Sequence, residues 1–168
     1  MADMKQNIDE RKLAPEHIFA ATMIAGISSF GILNQAVMAA AARQIGKDLA
    51  EYHAATRGGK AVSGGSVDEV LNASLEELQS LLQITDSVKT ERDGDVIYLK
   101  INANKCRYCP KGVGRAELSG TLCPFPTLVE EFVNALNGRK VVTTLKERGV
   151  ALLTKEEGWC ITRYTEGG

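Results

Sequence analysis

The chain opens without hydrophobic pattern. Residues 1–13 (MADMKQNIDERKL) are polar and charged and read as a flexible N-terminal tail. Periodicity begins at Pro15, a residue suited to a first helical turn, with Glu16 beside it at the positive end. Ile18, Phe19, Met23, Ile24 and Ile27 follow at near-helical spacing, and GISSFG (26–31) is expected to break or kink that helix. A longer helix is predicted over 32–55, where Leu33, Val37, Ala40, Ala41, Ile45, Leu49 and Tyr52 recur every three or four residues. Its alanines favour close approach of another helix, and Arg57-Gly58-Gly59 ends it. After the glycine-rich connector GGKAVSGG (58–65), Ser66 and Glu69 form a capping-box pair ahead of a third helical region, 67–82. A second such pair at Ser74 and Glu77 predicts two helical pieces joined near 72–74.

The period then switches to two. Segments 87–91 and 96–102 flank Arg92-Asp-Gly-Asp95, a hairpin signature in which Asp-Gly supplies the positive-φ turn residues. A loop rich in glycine, proline and cysteine interrupts. TLVEEFVNALNG (127–138) then reads as a helix closed by Asn137-Gly138, and three short strands follow at 140–146, 150–154 and 159–164. Helices, hairpin, loop, helix and β meander predict an α+β fold: a single domain over 14–168, with a twisted antiparallel sheet and helices packed on one face.

Composition narrows the class. The chain has 168 residues, enough to bury a core, and Lys+Arg 20 against Asp+Glu 21 gives net charge −1. That balance argues against nucleic acid as a partner, since phosphate binding wants a basic excess. The opening residues lack a secretory pattern, and 17–33, the most apolar stretch, is broken by Gly26, Ser28, Ser29 and Gly31. No membrane span is expected. The reading is cytoplasmic, where thiols stay reduced.

That matters for the loop, because three of the four cysteines lie in KCRYCPKGVGRAELSGTLCPFP (105–126). Cys106 and Cys109 form C-x-x-C; with Cys123 and Cys160 the pattern is C-x2-C-x13-C-x36-C. Two thiolates at C-x-x-C spacing reach one ion from a tight turn. The alternatives are buried or redox-active thiols and, least favoured in a reducing compartment, disulfides. Zinc is the default for four cysteines, but Cys-Pro dipeptides also recur beside iron–sulfur clusters, and two occur here. At least three of Cys106, Cys109, Cys123 and Cys160 are expected to converge on one point.

Other residues carry less. His17 and His53 lack a second ligand at i+4 and read as surface or capping histidines. Phe19, Met23, Phe30, Leu33 and Met38 are candidates to line an apolar pocket between the first helices, although the same spacing serves plain core.

From about residue 32 to 164 the chain resembles the 4-vinyl reductase domain family of hydrocarbon-binding proteins, which share the TRAPP-like fold. The motifs are ARQIGKDLAEY, VIYLKINANKC, LSGTLCPFPTLVEEFVNALNGRKVVTTLKERG and EEGWCITRY, in that order. The resemblance implies a ligand pocket beside a zinc site of cysteines and a glutamate. Cys123 matches the family's cysteine at a helix start, Cys160 the one in the last strand, and Glu147 falls near its acidic ligand. The family's middle cysteine has no counterpart among Gly149, Val150 and Ala151, a gap that Cys106 and Cys109 would fill, leaving Glu147 a solvated turn residue.

The functional expectation is a binding or sensory domain for a small apolar molecule, with a cysteine-ligated structural zinc. The alternative is an iron–sulfur or thiol redox protein using the same cysteines, and a third reading is a subunit acting through dimerisation. No catalytic acid, base or nucleophile constellation is visible. A homodimer is expected, pairing through the alanine-rich helix between Ala36 and Ala50, whose apolar residues exceed the single stripe a helix needs against a sheet.

Overall fold

A computed structural model describes residues 4–58, 65–147 and 150–168. Among these, five helices and five strands form an α+β fold with an open antiparallel sheet, as the pattern predicts. Strand β1 (Val88–Asp93) and β2 (Val96–Asn102) make the hairpin, in register Asp93↔Val96. Its loop is Gly94-Asp95, and only Gly94 takes positive φ, +56°; the Asp-Gly pair straddles the strand end rather than forming the turn. β2 pairs along its length with β5 (Trp159–Glu166). The other edge of β5 is shared by β3 (Val142–Thr144) and β4 (Leu153–Glu156).

Alternation sorts the two faces of the sheet. Ile97, Leu99 and Ile101 oppose Tyr164, Thr162 and Cys160, and all but Cys160 are buried. The other face carries half-buried Tyr98, Lys100, Arg163 and Trp159, with Lys89 Nζ 4.9 Å above the indole. Helices therefore cover one face only.

The central helix there is α5 (Phe125–Asn137), which buries Leu128, Val129, Phe132, Val133 and Leu136. It packs on α3 (Gln35–Arg57), on α4 (Val67–Leu82) and on β3. Burial of side chains this size contributes about 1.5–3 kcal/mol each, so α5 anchors the domain. Its first turn is pinned to the sheet: the Pro126 carbonyl accepts the Tyr164 hydroxyl at 2.8 Å and the Thr144 hydroxyl at 3.3 Å.

The helix ends follow their caps. Asn34 Oδ1 accepts from the Ala36 and Val37 amides at 3.0 Å, and Gly58 closes α3 in the left-handed region. Ser66 and Glu69 form the expected capping box, but α4 is continuous past Ser74. The Ser74 hydroxyl donates to Val70 O at 2.8 Å and accepts from Asn137 Nδ2 at 3.0 Å, so it ties α4 to α5 instead of starting a new helix. Helix α2 (Pro15–Ser29) runs straight through Gly26 and stops at Phe30-Gly31. The connector residues 59–64 and the turn residues 148–149 lie outside the described residues.

The N-terminal expectation also needs correction. Residues 4–11 are not a loose tail: they form α1 (Met4–Arg11), whose last turn is bonded into the cysteine loop. No helix of the described residues is long and apolar enough to cross a membrane.

Candidate functional site

The cysteine loop fills the gap between the end of β2 and the start of α5, under the core face of the sheet. Cys106, Cys109, Cys123 and Cys160 all line one pocket there, of about 40 Å³. Its other walls are largely apolar, including Ile101, Leu118, Leu122, Phe125 and Leu153, and Lys111 and Lys155 also line it. Three separate segments deliver the thiols: the loop after β2, the approach to α5, and β5. All four are free thiols. Among the described residues, however, no three His, Cys, Asp or Glu side chains stand ready to hold an ion as they are oriented. The sulfurs share a pocket without closing on a point.

The backbone around them is arranged for sulfur. The Gly112 N–H donates to Cys109 Sγ at 3.3 Å, and the Tyr108 and Phe125 backbones act on the Cys106 and Cys123 thiols in the direction that favours the thiolate, against the larger effect of burial. The Cys-Pro dipeptides fit this geometry: proline has no N–H of its own and holds the preceding residue extended. At Cys123 the Phe125 backbone also begins α5, where the helix dipole favours negative charge.

The same burial opposes charge while the thiols are bare. Desolvation pushes the Cys106 thiol up to about 12, with the neighbouring Cys109 adding to it. Cys123 is raised well above the usual thiol range by burial and then by Cys106, Cys160 and Cys109, and Cys160 is raised by burial. Mutual repulsion among all four marks them as one electrostatic group. Lys155 and Arg11 act in the opposite direction on Cys160, and Arg11 does so on Cys106. Sulfurs in an apolar wall beside Lys111 and Lys155 are of the ligand type that a soft or borderline cation takes, and the charge of such a cation would deprotonate the thiols.

Arg11, which the sequence pattern did not single out, holds the loop. Its Nη1 donates to Cys106 O at 2.6 Å and Ala103 O at 3.2 Å, and its Nε donates to Asn7 Oδ1 at 2.9 Å. Asn7 Nδ2 reaches Gly112 O at 3.0 Å, and Arg107 Nε returns to Arg11 O at 2.7 Å. A Cβ on Gly112 would lie 2.8 Å from the Arg11 guanidinium, and one on Gly114 would overlap the Ala21 carbonyl, so both glycines of KGVG sit where a side chain would crowd a neighbour. Arg11→Met is expected to destabilise the domain by about 2 kcal/mol, through loss of charged hydrogen bonds to two carbonyls. The readouts are the urea midpoint and amide exchange over 106–114; a variant unchanged in both contradicts the role.

The remaining candidates disperse. His17 is a capping residue, as expected, but a buried one: Nδ1 accepts the amide of the N-cap Ala14 at 2.8 Å, so the proton is on Nε2, 3.2 Å from Leu82 O. Its ring meets Tyr108 edge-on at 5.0 Å, and Tyr108 meets Phe125 at 5.9 Å, an aromatic chain from α2 to α5 along the pocket wall. His53 is buried against Glu77 at 3.0 Å. Glu147 bonds Arg163, whose side chain leaves β5 on the face opposite Cys160, so it takes no part in this pocket. Phe19, Met23 and Phe30 do not enclose a cavity: they are 68, 48 and 78% exposed, while Leu33 is half-buried and only Met38 is core. An amphipathic count finds such residues but does not say which side of a helix meets a neighbour.

A family model described as the MJ0207 family matches residues 31–166, and the chain belongs to that family. An uncharacterized protein of Methanocaldococcus jannaschii, MJ1342, is 35% identical over 68 residues, which are 40% of this chain and 57% of that protein. The match therefore spans little more than half of that relative. No solved structure matches the chain. These findings do not bear on the resemblance to 4-vinyl reductase domains.

Proposed function

We propose that this domain is a binding module organised around one zinc ion held by Cys106, Cys109, Cys123 and Cys160. The observation that carries the reading is that thiols from three segments line one small, largely apolar pocket, with the Gly112 N–H aimed at the Cys109 sulfur. Rotation of the cysteine side chains towards the pocket centre would complete a tetrahedral sulfur shell. Zinc there ties the loop to α5 and β5 and keeps the walls of Ile101, Leu118, Leu122, Phe125 and Leu153 in place. The resemblance to 4-vinyl reductase domains supports a small apolar molecule as the ligand of those walls. About 40 Å³ accommodates an ion and a few atoms, so a larger hydrocarbon would have to move the 110–122 segment aside. A thiolate centre of this kind belongs in a reducing cytoplasm.

A second reading is an iron–sulfur centre. It is favoured by the paired Cys-Pro dipeptides and by the partial exposure of Cys109 and Cys160, which would give electrons access; the hydrogen bond to the Cys109 sulfur would then tune the potential. Metal analysis of protein purified without oxygen separates the two. One zinc per chain in colourless protein is expected. Brown protein with iron and sulfide establishes the second reading, and protein that neither carries nor binds either metal removes both.

A further inference from the structure

Helix α2 buries only His17 and Ala21. Phe19, Met23, Ile27 and Phe30, at spacings of four, four and three, form an exposed ridge 44–78% open, and Ile32 just beyond is 69% open. After Glu16 and His17 the helix has no ionisable side chain. Beside the ridge runs a row of small residues: Thr22, Gly26 and Ser29, all exposed. That row, with Gly114, Arg115, Ala116 and Glu117, lines a groove of about 540 Å³, and a Cβ built on Gly26 meets nothing within 4 Å. A ridge of large residues beside a groove of small ones on the same helix is self-complementary: ridges of one copy fit grooves of the other.

We propose that α2 is the interface of a homodimer, in which the Phe19–Met23–Ile27–Phe30 ridge of each protomer seats in the partner's Gly26 groove. Such a contact is isologous, each surface serving as both ridge and groove across a two-fold axis. The area is of the right order. At roughly 200 Å² for a large side chain, the five residues leave on the order of 500 Å² of apolar surface open, and the groove walls bring this towards the ~800 Å² per partner of a standard interface. The uncharged ridge offers nothing to an acidic or basic partner. The sequence placed the interface on α3; there Met38, Ala42, Gly46 and Ala50 are buried, and the open positions mix Ala36, Val37, Ala40, Ala41 and Ile45 with the polar Arg43, Gln44, Lys47 and Asp48. The larger open apolar area is on α2, which lies outside the family-matched region 31–166. The proposal is independent of the metal reading.

Light scattering on the full chain at micromolar concentration tests it. Wild type is expected at about twice the 18.1 kDa chain mass. Gly26→Leu fills the groove in open space, leaving the monomer fold undisturbed, and is expected to shift the mass to that of one chain. Phe19→Ser/Phe30→Ser should do the same, with circular dichroism unchanged. Ile45→Lys on α3 should stay dimeric. A monomeric wild type, including one that pellets with phospholipid vesicles, overturns the proposal. So does a dimer that survives both α2 variants or is lost only on Ile45→Lys.

Discussion

Zinc added to metal-free protein is expected to raise the melting temperature by about 8–16 °C. An ion present at ~1,000 times its dissociation constant stabilises the folded state by about 4 kcal/mol, and each kcal/mol is worth roughly 2–4 °C at this size. Cys109→Ser removes a ligand, and with it most of that increment, because binding free energy here is folding free energy. The pH dependence has a definite sign. Without metal, burial raises Cys106 to about 12 and also raises Cys123 and Cys160, so the folded state keeps protons that an unfolded chain gives up near ~8.5. The stability they confer is complete below that value and falls away as pH climbs towards 12. With zinc the folded thiols are already ionised, so the increment grows between about pH 6 and 8, where unfolded thiols still hold their protons. Melting curves at pH 6, 8 and 9.5, with zinc and with chelator, measure both trends. Equal melting with zinc and chelator at every pH, or a full increment in Cys109→Ser, sinks the four-thiolate site.

The strands and caps were legible because each rests on local chemistry. The alternation in VIYLKIN, the Ser66–Glu69 box and the glycine after Asn137 act within a few residues of themselves. Ser74 was misread because its hydroxyl has two local options, a new N-cap or the Val70 carbonyl, and the distant Asn137 amide supports the second. Arg11 was missed for a related reason. In sequence it is one charge in a polar run; its importance comes from carbonyls at 103 and 106 that the fold brings to it. The four cysteines could be grouped in advance by compartment and spacing. The orientation of their side chains could not, because nothing local sets how far each sulfur leans into the pocket.

Gly46 is where helix packing is least forgiving. It lies on the buried face of α3, and a Cβ there would stand 2.7 Å from Leu128 O, 2.9 Å from Glu131 Cβ and 3.0 Å from Phe132 N. Two of these are backbone atoms of α5, which cannot rotate away as a side chain can. Gly46→Ala gains about 1 kcal/mol of helix propensity but must push α3 off α5, at an overpacking cost of about 1–3 kcal/mol. A net loss is expected for alanine, and for Gly46→Val, with a branched side chain in the same gap, a loss of roughly 3 kcal/mol or more. The comparison is Gly26→Ala in α2, where a Cβ meets nothing and the same propensity gain, up to about 1 kcal/mol, goes unopposed. Urea unfolding should therefore move the midpoint down for Gly46→Ala, further down for Gly46→Val, and up for Gly26→Ala. If Gly46→Ala is as stable as wild type, α3 and α5 do not meet backbone to side chain at this position, and the close approach that ARQIG permits is not what holds α5 between the helices and the sheet.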